Sequence, residues 1–95
     1  MNDEAASHYT DIVHQMSLGL RFINETFGPC SAPKVSWQID PFGHSREQAN
    51  LFYDMGFDGL FFGRLDWREK DQRLTAKRGE MLWQTTSKGN LAFFG

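Results

Sequence analysis

Two short apolar runs, separated by one helix-length segment, restrict this chain more than any other feature. The first, KVSWQI at residues 34–39, alternates Val35, Trp37 and Ile39 with Lys34, Ser36 and Gln38. Period two in a β-branched and aromatic set predicts a strand. The second, GLFFG at residues 59–63, reads as the end of a short strand, 58–62, buried on both sides. Between them, SREQ places Ser45 as a helix N-cap with Gln48 three residues on, a capping box. The helix it opens carries Ala49, Phe52 and Met55 on one face and stops at Gly56. A strand–helix–strand unit of this kind makes its two strands parallel, joined by a right-handed crossover. A parallel sheet needs helices on its faces and more strands than two. The chain therefore reads as a slice of a larger α/β domain.

Helices flank the unit. Over residues 3–27, Tyr9, Ile12, Val13, Met16, Leu20, Ile23 and Phe27 recur every three or four positions, which predicts a long amphipathic helix. Asp3 and Glu4 lie at its start, where acids complement the helix dipole, and Gly28-Pro29 ends it. A third helix is expected over 67–84, weakened by Gly79, with Trp67 and Trp83 on its apolar face. The final GNLAFFG is apolar again. The predicted order is helix, strand, helix, strand, helix.

At 95 residues the chain holds at most one small domain, yet it carries nine Phe, three Trp and two Tyr. Rings in that number suit the interior of a larger protein. A net charge of −2 offers no electrostatic case for nucleic acid or an anionic membrane. Most of the Lys and Arg fall between Arg64 and Arg78, interleaved with Asp66, Glu69 and Asp71, as on a solvated helix face. Cys30 is a lone thiol, so neither an internal disulfide nor a CxxC metal site is available. No segment has the length of a transmembrane helix, and the acidic N-terminus lacks the build of a signal peptide. Asn24-Glu25-Thr26 is an N-glycosylation acceptor pattern, meaningful only in a secretory compartment.

Parallel sheets put their sites at the carboxyl ends of the strands. The first strand delivers Asp40 there and the second delivers Gly63 and Arg64, so a carboxylate and a guanidinium converge on one face. Pro41 keeps Asp40 extended and at the rim. Phe42 sits on a loop tip, a suitable wall for a sugar ring. An Asp before Pro is also a common turn residue, with Arg64 as a structural ion-pair partner. His44 is read as a hydrogen-bonding brace rather than a metal ligand. His8 and His14 on the first helix form no ligand pair with each other, and Glu4 with His8 at i,i+4 is weak support for zinc.

The run WQIDPFGHSREQANLFYDMGFDGLFFGRLDW, together with MNDEAASHYTDIVHQMSLGLRFINETFG before it, resembles the catalytic core of the α-mannosidases of glycoside hydrolase family 38, in their lysosomal branch. The resemblance implies residues 1–95 of a parallel-sheet, β/α barrel-like glycosidase domain, incomplete at both ends. It implies zinc-dependent, retaining hydrolysis of terminal α-linked mannose on N-glycan oligosaccharides, in the lysosome or secretory pathway. Asp40 matches the family's nucleophile and zinc ligand, and Phe42 a residue of the sugar subsite. Arg64 matches an arginine beside the nucleophile, whose charge is expected to keep Asp40 ionised and oriented. The family's His-x-Asp zinc motif lies upstream of the matched part. Its acid/base carboxylate and last zinc histidine lie downstream. Gln38 stands where the lysosomal enzymes usually carry His. The chain alone is thus expected to be inactive and not to hold zinc. The alternative is a truncated, non-catalytic product, a mannose-binding or regulatory remnant.

Overall fold

The computed structural model describes residues 1–86, so the apolar stretch 89–95 lies outside the described residues. Helix α1 spans Tyr9–Phe27, a 3-10 turn Pro29–Ser31, strand β1 Val35–Gln38, helix α2 Arg46–Asp54, strand β2 Gly59–Phe62 and helix α3 Trp67–Thr75. β1 and β2 pair in parallel, with Val35 opposite Gly59 and Gln38 opposite Phe62. The expected order and strand direction are therefore both present. No helix among the described residues is long and apolar enough to cross a membrane.

α1 begins later than the periodicity indicates. His8 is its N-cap, accepting the Thr10 N–H on Nδ1 at 3.2 Å, and Asp11 supplies the acid of the first turn. Asp3 instead accepts the Ala5 and Ala6 N–H groups in a separate turn. Those two bonds, that from Ala6 the larger influence, hold its carboxyl below the usual carboxylate value. Of the expected apolar face only Ile12 is buried, while Tyr9 and Phe27 are exposed. Among the described residues α1 packs chiefly on the 3-10 turn that follows it, and Met16 of the stripe rests partly buried on the core.

The core is Ala49, Phe52, Phe57, Leu60 and Phe62, with Met16, Met55, Leu65, Met81 and Trp83 packed around it. The apolar face read for α2 is therefore the one it buries. Gly56, with φ of +92°, makes the left-handed turn that brings the chain back into β2.

β1 turns the opposite way from its apolar pattern. Trp37 is 53% exposed, with Val35 and Ile39 about as open, whereas Ser36 and Gln38 are buried. The inward positions are polar and satisfied: Ser36 Oγ donates to the Gly59 carbonyl, and Gln38 exchanges two bonds with the Asn2 backbone. β2 is likewise buried on one side, through Leu60 and Phe62, while Phe61 opens to the outer face. The expectation of burial on both sides thus fails among the described residues.

α3 also ends early, at Thr75, and buries no residue; Trp67 is 72% exposed rather than in the core. The solvated face carries an i,i+4 pair, Arg73 to Glu69 at 2.7 Å. The helix stops because Lys77 adopts φ of +54°, with the Arg78 N–H on the Arg73 carbonyl and the Lys77 N–H on the Leu74 carbonyl. That is a Schellman cap built on a residue with a Cβ. It frees Met81 and Trp83 to reach the core. Lys77→Gly is expected to stabilise the chain by about 1 kcal/mol by removing left-handed strain, read as a rise in thermal midpoint.

Candidate active site

The in-register pairing of β1 and β2 sets the site. Just past the paired ends, Ile39 runs beside Gly63. A Cβ on Gly63 would lie 3.2 Å from Ile39 Cγ1, so the missing side chain permits this close approach. The next residues on each strand are Asp40 and Arg64. An Arg64 guanidinium nitrogen lies 3.7 Å from Asp40 Oδ1, and both side chains are at least half exposed. The same guanidinium stacks on Phe42, with Cζ 4.1 Å from the ring centroid. Phe42 itself is 83% exposed, while Pro41 beneath it is buried. The three residues expected at the rim thus form one contiguous cluster.

Beside it lies a shallow open hollow of about 590 Å³, lined by Phe42, His44, Arg64, Asp66 and Lys70 among others. Asp40 does not line this hollow and meets it only through Arg64. Asp66, the carboxylate that does line the hollow, caps α3 by accepting the Arg68 and Glu69 N–H groups on Oδ1. Lys70 Nζ donates to the Gly63 carbonyl at 3.3 Å. A carboxylate open on one side, a guanidinium holding it and an exposed aromatic face suit a sugar. An exposed ring of this kind can pack against the C–H face of a sugar, and an open carboxylate can accept from a hydroxyl.

His44 is the brace the sequence suggests. Its Nδ1 is 2.6 Å from Glu4 Oε2, its Nε2 is 2.9 Å from the Arg64 carbonyl, and its ring packs on Phe62 at 4.2 Å between centroids. Glu4 pairs with His44, not with His8. Its second oxygen accepts the Ser45 N–H at 2.9 Å. The capping box is therefore different from the one read in SREQ. Ser45 Oγ accepts the Glu47 N–H, and the reciprocal bond to the Ser45 N–H comes from Glu4, forty-one positions away. Gln48 is buried and accepts from Asn2 Nδ2 instead. Asn2 and Glu4 are the site residues that sequence reasoning missed; local pattern holds no signal for bonds across such separations.

The donor set does not make a zinc site. Among the described residues no group of three or more His, Cys, Asp or Glu is placed to hold a metal ion. Both ring nitrogens of His44 already have partners, and Asp66 is committed through Oδ1 to capping α3. Asn24 is exposed in the last turn of α1, and Cys30 is an exposed free thiol.

Comparison with known proteins gives a consistent result. The family model described as "Glycosyl hydrolases family 38 N-terminal domain" matches residues 1–94. A lysosomal α-mannosidase of Homo sapiens is 59% identical over 87 residues, covering 92% of this chain and 9% of that protein. One from Dictyostelium discoideum is 46% identical over 86 residues, and an α-mannosidase of Arabidopsis thaliana 49% over 85. The chain thus spans less than a tenth of the length of these relatives.

Proposed function

Because this chain belongs to the glycosyl hydrolases family 38 N-terminal domain, we propose that it supplies the nucleophile loop of an α-mannosidase. The observation that carries this is the Asp40–Arg64–Phe42 cluster at the carboxyl ends of two parallel strands. In this reading Asp40 attacks the anomeric carbon of a terminal α-linked mannose, and the glycosidic bond breaks as the leaving oxygen takes a proton from a second carboxyl group. Water then hydrolyses the mannosyl ester, with that carboxyl acting as base, and configuration is retained. Arg64 holds the carboxylate in its attacking orientation. Phe42 offers the sugar its face. In this reading the second carboxyl group is supplied from outside the described residues, while Asp66 uses Oδ1 to cap α3.

Zinc belongs to this proposal only in a protein of family length, with Asp40 as one of its ligands. A zinc site takes about four ligands, and the donors described here do not reach that number. No catalytic step is therefore assigned to the metal. Mannose-containing N-glycans are the proposed substrates, and the names of the relatives favour a lysosomal setting; in that setting the exposed Asn24-Glu25-Thr26 is a candidate glycosylation position.

The 95-residue chain by itself is expected neither to release the chromophore from 4-nitrophenyl α-D-mannopyranoside nor to retain zinc through dialysis. Zinc-dependent turnover by the isolated chain would refute the division of labour proposed here. The reading of Asp40 is tested in a family-length protein containing this segment. Mass-spectrometric trapping of a mannosyl ester on a peptide other than the one carrying Asp40 would overturn it.

A further inference from the structure

The Glu4 side chain is only 3% exposed, and among the described residues its hydrogen-bond partners both lie in the loop after β1. One carboxylate oxygen meets His44 Nδ1 and the other takes the Ser45 N–H. His44 in turn reaches the Arg64 carbonyl through Nε2. The backbone of the loop after β1 is thereby tied to the backbone after β2 through a single ring. Those are the two backbones whose side chains, Asp40 and Arg64, meet at 3.7 Å. No backbone hydrogen bond among the described residues joins them past the strand ends, because the ladder stops at Gln38 and Phe62.

We propose that Glu4 and His44 are positioning residues: through the Glu4–His44–Arg64 carbonyl relay they set the distance between Arg64 and Asp40. This rests on the reading of Asp40 as nucleophile. Both ring nitrogens of His44 and both carboxyl oxygens of Glu4 have partners inside the relay, as a positioning role requires. A carbonyl only accepts, so Nε2 must present a hydrogen to Arg64. What Glu4 must do is hold the ring in place; its negative charge is not itself required. A glutamine at position 4 keeps an oxygen for the Ser45 N–H and offers its amide to Nδ1, which leaves Nε2–H pointing at the same carbonyl.

The test uses a family-length protein containing this segment and 4-nitrophenyl α-D-mannopyranoside as probe. His44→Asn keeps a donor near the Nδ1 position, and with it the Glu4 contact, but loses the donor at Nε2. It is expected to lower kcat by about 10- to 100-fold, as displacements near 1 Å do, with KM changed less than about threefold and the thermal midpoint held. Glu4→Ala lowers kcat similarly, and Glu4→Gln returns it to near the parent value. A parental kcat in folded His44→Asn overturns the proposal. So does a Glu4→Gln as damaged as Glu4→Ala, since that loss would belong to the charge. If His44→Asn does not fold, the Glu4 pair decides alone: rescue by glutamine supports the relay and equal loss overturns it. Asp40→Asn runs beside these variants, and an active Asp40→Asn would sink the nucleophile reading rather than the relay.

Discussion

Asp40→Asn in a family-length protein containing this segment is expected to lower turnover of an α-mannoside by about 10⁴-fold or more, the range seen when a nucleophile is removed. A neutral amide oxygen cannot form the mannosyl ester, and it gives Arg64 no charge to hold. The fold is expected to be untouched. Among the described residues Asp40 is largely exposed and its ion pair with Arg64, at 3.7 Å, is also exposed, so loss of that pair costs under about 1 kcal/mol. A thermal midpoint within a few degrees of the parent, together with the lost turnover, is the result that distinguishes chemistry from stability. Activity near the parent would show that Asp40 is the turn residue its place before Pro41 also permits.

The second large effect is on stability, and it opposes two aromatic residues. Phe52 is buried between α2 and the sheet and meets the edge of Phe57 at 5.5 Å between centroids. Phe52→Ala is expected to cost about 3–5 kcal/mol through lost burial and the cavity left behind. In a chain this small that is most of the available stability, so cooperative thermal unfolding of the 95-residue chain should disappear. Trp37→Ala on the outer face of β1 is expected to cost under about 1 kcal/mol, as for substitutions away from the core. Circular dichroism melts of the two variants check both figures. A Trp37 loss as large as that of Phe52 would mean that the outer face is packed after all.

That contrast shows where sequence reading works in this protein and where it stops. Alternation in KVSWQI identified the strand, but it pointed to the face of β1 that the described residues leave open. The inward face is polar and is closed by Asn2, whose backbone pairs with Gln38. Binary pattern reports which face is apolar, not which neighbour arrives to cover it. The capping signal at Ser45 was sound for the same element, yet the partner of its N–H is Glu4 rather than Gln48. Helix ends depart from the periodicity for two reasons. Glu4 leaves the expected register of α1 for tertiary partners, whereas α3 ends on local bonds, with Lys77 in a left-handed conformation that lets Met81 and Trp83 reach the core.

The rim cluster was more legible. Asp40 and Arg64 each stand just past a strand, and parallel pairing alone brings the carboxyl ends of two strands together. Once KVSWQI and GLFFG were read as neighbours joined by one helix, their convergence followed. Phe42 completes it by stacking on the Arg64 guanidinium. The sequence by itself thus determined the elements, their order and direction, and the residues at the strand ends, since these depend on local periodicity and covalent connection. Only the tertiary structure decided which face of the sheet is buried, and that Glu4 and His44 tie the two strand ends together. Those features arise from contacts between residues about forty positions apart, whose geometry no local pattern encodes.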